Sequence, residues 1–336
     1  MAAPVPIDTR AFSPRVMTRT RKPIWARVLL KIAEIAILLL VTSLIVFLAT
    51  QALPGDVVTI ILGVDTTPER AEALRTQLGL DQPLPAQYWS WLSGVLHGDF
   101  GTSLITGRPV NEIIGLRVRN SIVLGLTAFA IMIPVSLVLG VAAAYFRDRA
   151  LDRGFLTVSM VLNATPEFVT GTLLIALLST NVLRIFPPVA QFPPQDLPWQ
   201  HPDLIFLPVL TLVIGGSMYL SRLIRVSYID VLSSEYVEMA RLKGVGTWRV
   251  LFRHALPNAL APAIPAAMIV AAFVIGGVVV VEYLYAYPGM GSMVIEAARN
   301  RDLPVLQALI LIIAVLYFAM NLFGDLLSGA NRGERR

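Results

Sequence analysis

The chain has 336 residues, of which 56% are hydrophobic and 15% are charged, and its mean hydropathy is +0.70. These values exclude an ordinary soluble domain, and the separation of charged stretches from long apolar ones is typical of an all-α integral membrane protein. The lack of cysteine excludes disulfides and thiolate metal sites, and the three histidines are too scattered for a zinc site. The net charge of +5 comes from basic residues beside apolar segments, which membrane topology explains better than nucleic-acid binding does. We therefore expect neither a bound metal nor a nucleic-acid partner.

The first apolar segment, at 28–52, follows a tail at 1–27 that contains several prolines and arginines. Such a basic tail also precedes signal peptides, but this apolar run is too long for one, and no small-x-small cleavage site lies ahead of Pro54. We interpret the segment as a retained first transmembrane helix and the tail as flexible and cytoplasmic.

Residues 53–118 form a large segment outside the predicted spans, and they contain two predicted helices. The first begins at Pro68 and ends at Gly79, because proline suits the first helical position and glycine suits the position after the last. The second begins near Pro85 and has one apolar face. Two interpretations stay open: a small packed extracytoplasmic cap, which the pattern favours, or a docking surface for an external partner.

Five further apolar segments are long enough to cross a bilayer, which takes about 20 residues as a helix. Each of them must be helical, because lipid offers no hydrogen-bond partner to an open backbone. They make up a five-helix core at 119–328 and lie at 119–145, 155–179, 204–221, 262–285 and 304–327. With the first segment, the sequence predicts six transmembrane helices.

The distribution of lysine and arginine predicts the orientation of these helices. Basic residues are concentrated in the N-terminal tail, at 146–154, at 222–261 and in the tail at 329–336, whereas the opposite connections are longer and hold fewer of them. Both termini are therefore expected on the cytoplasmic side, in agreement with an even number of spans.

Four acidic residues lie within the predicted spans. Glu34 is expected to neutralise Lys31 one helical turn away, Asp325 is interpreted as structural, and Glu167 and Glu282 are candidate pathway residues. Glu167 is near the middle of the third span beside Pro166 and close to Asn163, and a carboxylate at that depth is costly unless it is paired or faces water. It either lines a solute pathway, where it would meet an ammonium group, or holds two helices together. Glu282 is at the outer end of the fifth span and is interpreted as a gate or, more simply, as a structural pairing group.

The connection at 222–261 is longer than a simple link between two spans requires. Residues 235–243 predict a helix that Gly244 ends, and the next residues predict a second amphipathic helix that Pro257 stops. The apolar face of that second helix is expected to carry Val245, Trp248, Leu251, Phe252 and Ala255. Two short helices around a glycine would form a compact element beneath the membrane.

This stretch resembles the motif of bacterial ATP-binding-cassette importer permeases, which is E-A-A, three residues, G, nine residues and I-x-L-P. Glu238, Ala240, Gly244, Leu256 and Pro257 match it in spacing, whereas Met239 and His254 depart from it. The His-Ala-Leu-Pro-Asn sequence is similar to the dipeptide/oligopeptide branch. Further similar segments are Leu-Pro-Gly-Asp at 53–56, Gly-Asp-Phe-Gly-Thr-Ser at 98–103, Pro-Glu-Phe at 166–168 and Tyr-Pro-Gly-Met-Gly at 287–291.

The resemblance implies the type I importer fold and a non-catalytic permease subunit that forms half of a peptide pathway in the bacterial cytoplasmic membrane. It implies as partners a second homologous permease, two ATPase subunits that bind ATP and magnesium, and an extracytoplasmic solute-binding protein. This chain would bind no cofactor itself, and it lacks the G-x-x-x-x-G-K-[ST] phosphate-binding motif. The residues expected to couple it to the ATPase are Glu235, Glu238, Ala240, Arg241, Lys243, Gly244, Arg249, Leu256 and Pro257.

Other interpretations compete with peptide import. Permeases of the same branch also carry nickel chelates, glutathione or oligosaccharides. The 235–257 stretch is also compatible with a basic pair of helices lying on anionic membrane lipid. An ion-coupled secondary transporter would be expected to show several deep acids or inverted repeats, and only Glu167 is deep. A scaffold without transport activity is a further alternative.

Overall fold

The computed structural model describes residues 24–52, 58, 62, 67–77, 79 and 81–331. The predicted tail at 1–23, the Leu-Pro-Gly-Asp segment at 53–56 and the last residues at 332–336 lie outside the described residues. Within the described ranges the fold is helical, and extended pairing is limited to one isolated bridge between Thr102 and Pro109.

The described helices are long where the sequence is apolar and short elsewhere. In chain order they are α1 (Ile24–Gln51), α2 (Pro68–Gln77), α3 (Leu84–Leu96), α4 (Val110–Tyr145), α5 (Ala150–Ala164), α6 (Glu167–Thr180), α7 (Pro202–Leu232), α8 (Glu235–Leu242), α9 (Thr247–Leu284), α10 (Met290–Asn300) and α11 (Leu303–Asn331). The two helices predicted between the first and second spans are α2 and α3.

Five of these helices, α1, α4, α7, α9 and α11, are long and apolar enough to span a membrane. The sixth predicted span, at 155–179, is not one continuous helix. It is divided into α5 and α6, which meet at a bend of 105°. Thr165 and Pro166 form the break, because proline disfavours helical geometry in the residue before it and cannot donate a backbone hydrogen bond.

Several predicted boundaries also differ from the structure. The fourth span continues from 221 to Leu232, so the connection predicted at 222–261 shrinks to the segment between α7 and α9 together with the first turns of α9. Arg225 is tolerated inside α7 because Asp152 accepts two hydrogen bonds from it, at 2.5 and 2.6 Å. α4 begins at Val110, nine residues before the predicted span, and α10 was not predicted.

The bundle is built around α4, α7 and α9. Its main apolar cluster is formed by buried side chains such as Leu124, Met132, Leu212 and Val274. α1 packs along α11, where Lys31 forms ion pairs with Asp325 at 3.2 Å and with Glu34 at 3.1 Å, the latter as predicted.

One end of the bundle brings together the carboxyl ends of α4 and α7 and the start of α9. Ala144, Tyr228, Leu251 and Ala255 are buried in one cluster there. Elsewhere, the carboxyl-terminal half of α1 packs against α3 through Phe47 and Tyr88. The 235–257 stretch is therefore a continuation of the bundle.

Candidate functional site

The segment that follows α7 folds as two helical arms around Gly244. The first arm, α8, carries Glu235 and Glu238 in its first turn, where carboxylates stabilise the positive end of the helix. Gly244 has a φ of +74°, a left-handed conformation that other residues adopt only at a cost. The N–H of Val245 donates to the carbonyl of Ala240 at 3.1 Å and completes the helix end.

The second arm does not stop at Pro257, contrary to the sequence prediction. α9 begins at Thr247, widens into a π-helical stretch at Val250–Ala255 and continues without a break into the membrane span. In this stretch the N–H of Leu256 donates to the carbonyl of Leu251, five residues back. The wider turn admits Pro257, whose ring would collide with a carbonyl in an ordinary α-helix interior.

Two hydrogen bonds attach the second arm to α7. The buried Tyr228 hydroxyl donates to the carbonyl of Leu251 at 2.9 Å, and the Ser227 hydroxyl donates to the carbonyl of Ala259 at 2.8 Å. Both donors belong to the last turns of α7, so the start of α9 is fixed to a transmembrane helix by polar and apolar contacts together.

The two arms are also attached to each other. The Asn258 side-chain amide donates to the Tyr236 hydroxyl at 3.1 Å and to the carbonyl of His254 at 3.0 Å. Val237, on the inner side of α8, is fully buried. The arms therefore form one compact element, which we call the coupling element (residues 235–257).

The structure brings the predicted coupling residues together on this element, mostly on its outer surface. The exposed ones are Glu235, Glu238, Arg241, Lys243, Gly244, Arg249 and Pro257. Ala240 and Leu256 are partly buried between the arms and the bundle.

Large apolar side chains are also exposed on the coupling element. Leu242 is 76% exposed and Trp248 is 72% exposed, and Trp248 stacks on Phe252 with 5.5 Å between the ring centroids. The predicted apolar face is divided: Leu251 and Ala255 are buried together with Val250, whereas Trp248 and Phe252 are exposed. An exposed aromatic pair among charged residues is typical of a protein-binding surface.

Glu167 lies at the break between α5 and α6, in the first turn of α6 rather than in the middle of a continuous helix. Its carboxylate accepts no hydrogen bond and forms no ion pair with the described residues, and it is only partly exposed. The other two predicted pathway residues, Asn163 and Pro166, are exposed beside it. The break thus concentrates polar groups within a span, where backbone irregularity is tolerated when it is buried in protein or lines a cavity.

Two glycines make room for the Glu167 carboxylate. A β-carbon added at Gly277 of α9 would overlap it, and one added at Gly215 of α7 would lie 3.5 Å from its Oε1. Glu167 therefore sits where α6, α7 and α9 meet, although it is separated from these glycines by more than 40 residues of sequence.

Glu282, the last predicted pathway residue, is fully buried at the opposite end of α9. Its carboxylate accepts hydrogen bonds from the Ser121 hydroxyl of α4 and from the N–H of Gly291 in the first turn of α10, the latter at 2.6 Å. The Ser121 hydroxyl also accepts the N–H of Met290 at 2.7 Å. A β-carbon at Gly289 would overlap the carboxylate. Glu282 thus joins α4, α9 and α10.

Sequence reasoning missed the residues that support these sites, notably Ser121, Tyr228 and Asn258. A polar residue in or beside an apolar span is the signal that marks all three, but it does not identify their partners. Among the described residues, no group of three His, Asp or Glu side chains is placed to hold a metal ion.

Comparison with known proteins relates this geometry to a family. Residues 136–332 match the family described as binding-protein-dependent transport system inner membrane component, and residues 26–114 match its N-terminal family. A relative from Brucella abortus that is named as a peptide transport system permease is 35% identical over 302 residues, which cover 90% of this chain and 96% of the relative. The glutathione transport system permease GsiC of Salmonella typhimurium is 36% identical over 292 residues, which cover 87% of this chain and 92% of the relative.

Proposed function

This chain belongs to the family of inner membrane components of binding-protein-dependent transport systems, and we propose that its coupling element connects it to an ATPase that drives the import of short peptides. The chain is thus an importer permease of the peptide type, a multi-pass protein of the cytoplasmic membrane with the type I fold. Its family implies an ATPase and a solute-binding protein as partners. We further propose two ATPase subunits and a second, homologous permease that completes the pathway.

The observation that carries the coupling role is the rigidity of the coupling element. Tyr228 and Ser227 fix it to α7, Asn258 fixes its two arms together, and its second arm is continuous with α9. A domain that pulls on a rigid element of this kind moves the attached transmembrane helices, whereas a flexible loop would absorb the motion.

The exposed surface of the element supports a protein partner over a lipid surface. Glu235 and Glu238 accompany the basic residues, and carboxylates are repelled by anionic headgroups. Leu242 and Trp248 present apolar area of the kind that central contacts in protein interfaces bury. We place this surface, and with it both termini, on the cytoplasmic side, in agreement with the basic residues of the adjoining connections.

Reconstitution in liposomes with the ATPase, the second permease and the solute-binding protein tests this role. Gly244→Pro and Glu238→Lys are expected to insert and assemble normally but to hydrolyse ATP without matching uptake. Leu242→Cys provides a direct test of contact, because the chain contains no other cysteine. It should form a crosslink with a cysteine-reactive crosslinker to the ATPase. Normal coupling by both variants together with no crosslink would refute the role.

Glutathione is a second candidate substrate, because the glutathione transport permease is as similar to this chain as the peptide transport permeases are. Competition decides between them. If peptides are the cargo, labelled trialanine should be imported and excess glutathione should leave its uptake unchanged; if glutathione is the cargo, labelled glutathione should be imported and excess trialanine should leave its uptake unchanged.

A further inference from the structure

One arc of α7 is not covered by the other described helices. Tyr219, Val226 and Asp230 are exposed along it. The opposite side of α7 is buried against α4 and α9, for example at Leu220. Gly215, beside the Glu167 carboxylate, borders the open arc. In a permease that forms half of a pathway, an open arc with a carboxylate at its edge is the side on which solute passes.

The arc also carries a positive charge. Arg222 follows Gly215 by seven residues, so it lies on nearly the same face of the helix and about 10.5 Å nearer to the coupling element. Its Nε atom is buried and has no hydrogen-bond partner among the described residues. A guanidinium in a membrane helix is costly unless an anion or water satisfies it.

The nearby acid is already occupied. Asp152 accepts both hydrogen bonds from Arg225 and a third from the N–H of Asp148 at 2.9 Å. Arg225 therefore has a structural explanation within the fold. Arg222 has none among the described residues, and neither does the Glu167 carboxylate.

We infer that Arg222 binds the terminal carboxylate of a short peptide in transit, while Glu167 receives its terminal ammonium group. This inference rests on the proposed import of peptides. The axial separation of about 10.5 Å equals the length of about three extended residues, since each residue spans roughly 3.3–3.6 Å. A guanidinium suits this task because it binds a carboxylate with two parallel hydrogen bonds.

The arrangement also explains how the site can bind peptides of different sequence weakly enough to release them. It reads only the two terminal charges, which all unmodified peptides of about three residues share, and leaves the side chains to the open arc. Contacts that are few and exposed to water are weak, as transport through a pathway requires.

Uptake by reconstituted complexes provides the first test. Arg222→Gln should lower the ATP-driven uptake of trialanine about tenfold, with a much smaller effect on trialanine amide, which lacks the carboxylate. Arg222→Lys should give an intermediate rate of trialanine uptake, because lysine keeps the positive charge but cannot form the two parallel hydrogen bonds of a guanidinium. The matched control is Arg147→Gln, which removes an equal charge from an exposed connection and should transport both peptides normally.

Cysteine labelling provides a second test, which does not require the solute-binding protein to deliver trialanine amide. In the cysteine-free chain, Tyr219→Cys, on the open arc between Gly215 and Arg222, should react with a water-soluble sulfonate thiol reagent, and trialanine should slow the reaction several-fold while Arg222 is present. Arg147→Cys, in the exposed connection after α4, should also be labelled but should show no protection by trialanine.

The outcomes are distinguishable. Failure of the unmodified complex to import trialanine on addition of ATP would overturn the proposed function. Import by the unmodified complex together with normal uptake by Arg222→Gln, an equal loss for both peptides, or labelling that trialanine does not slow would overturn the inference alone.

Discussion

Replacement of Gly244 by alanine tests the coupling element with the least disturbance. Gly244 has a φ of +74°, and a β-carbon added there would meet no atom within 4 Å. The substitution therefore introduces no steric clash with the rest of the protein. Its cost is the backbone term alone, about 1–2 kcal/mol for a residue with a β-carbon in the left-handed region. Such a cost makes the open form of the helix end about 5–30 times more populated.

Gly246 supplies the matched control two residues away. It also has open space around its α-carbon, but its φ of −58° is available to any residue. Gly246→Ala should therefore leave the element intact. Gly244→Asn should be milder than Gly244→Ala, because asparagine tolerates the left-handed region better than other residues do.

Two measurements test whether Gly244→Ala opens the helix end and uncouples transport. Hydrogen exchange of the Val245 amide, which donates to Ala240, should accelerate about 5–30-fold in Gly244→Ala and remain unchanged in Gly246→Ala. In proteoliposomes, the number of peptides imported per ATP hydrolysed should fall for Gly244→Ala only. If both alanine variants behave alike in exchange and in coupling, the left-handed cap does not maintain the element and the reasoning is refuted.

Three further predictions concern single side chains. Tyr228→Phe removes one buried hydrogen bond without creating a cavity. We expect the stability of the protein to fall by about 0.5–1.5 kcal/mol and fewer peptides to be imported per ATP. Unchanged coupling in the transport assay would exclude a role for this bond. Ser121→Ala leaves the Met290 N–H without its acceptor and Glu282 without one donor. It should destabilise the protein by about 1–3 kcal/mol, seen as a lower melting temperature in detergent, in contrast to the exposed Ser93→Ala. Glu167→Gln keeps the shape of the side chain and should lower the uptake of peptides with a free ammonium group while assembly, followed by size-exclusion chromatography, stays normal; unchanged uptake would refute a pathway role.

Hydropathy was sufficient to predict the membrane class, because each long apolar helix corresponds to an apolar run in the sequence. Gly244 was also predictable, since a glycine after an amphipathic stretch is a local signal of a helix end. The family resemblance rested on motif spacing and is confirmed by the family match over 136–332.

The errors arose where a distant contact overrides a local pattern. The connection was predicted to start at 222, but the helix continues to Leu232, and Asp152, 73 residues earlier in the chain than Arg225, accepts the hydrogen bonds of Arg225 within it. Residues 155–179 were predicted to form one span, yet Pro166 lies in a complete break between two helices. Pro257 was predicted to end the second helix of the connection, yet α9 continues through it because the preceding turn is π-helical. A proline limits the local backbone without deciding among a kink, a break and a widened turn.

The same continuity of α9 connects the two ends of the permease. At about 1.5 Å per residue, the helix from Thr247 to Leu284 extends roughly 57 Å. Its amino-terminal end carries the second arm of the coupling element, a later turn carries Gly277 against the Glu167 carboxylate, and its carboxyl-terminal end carries Glu282 in contact with α4 and α10. A displacement of the amino-terminal end therefore reaches the Glu167 carboxylate and the junction at Glu282 through one element. Pro262 and Pro265, near the amino-terminal end, donate no backbone hydrogen bond, and α9 bends most readily there. The part of α9 that follows these prolines must be stiff if an ATPase at one side of the membrane is to change the contacts of Glu282 at the other.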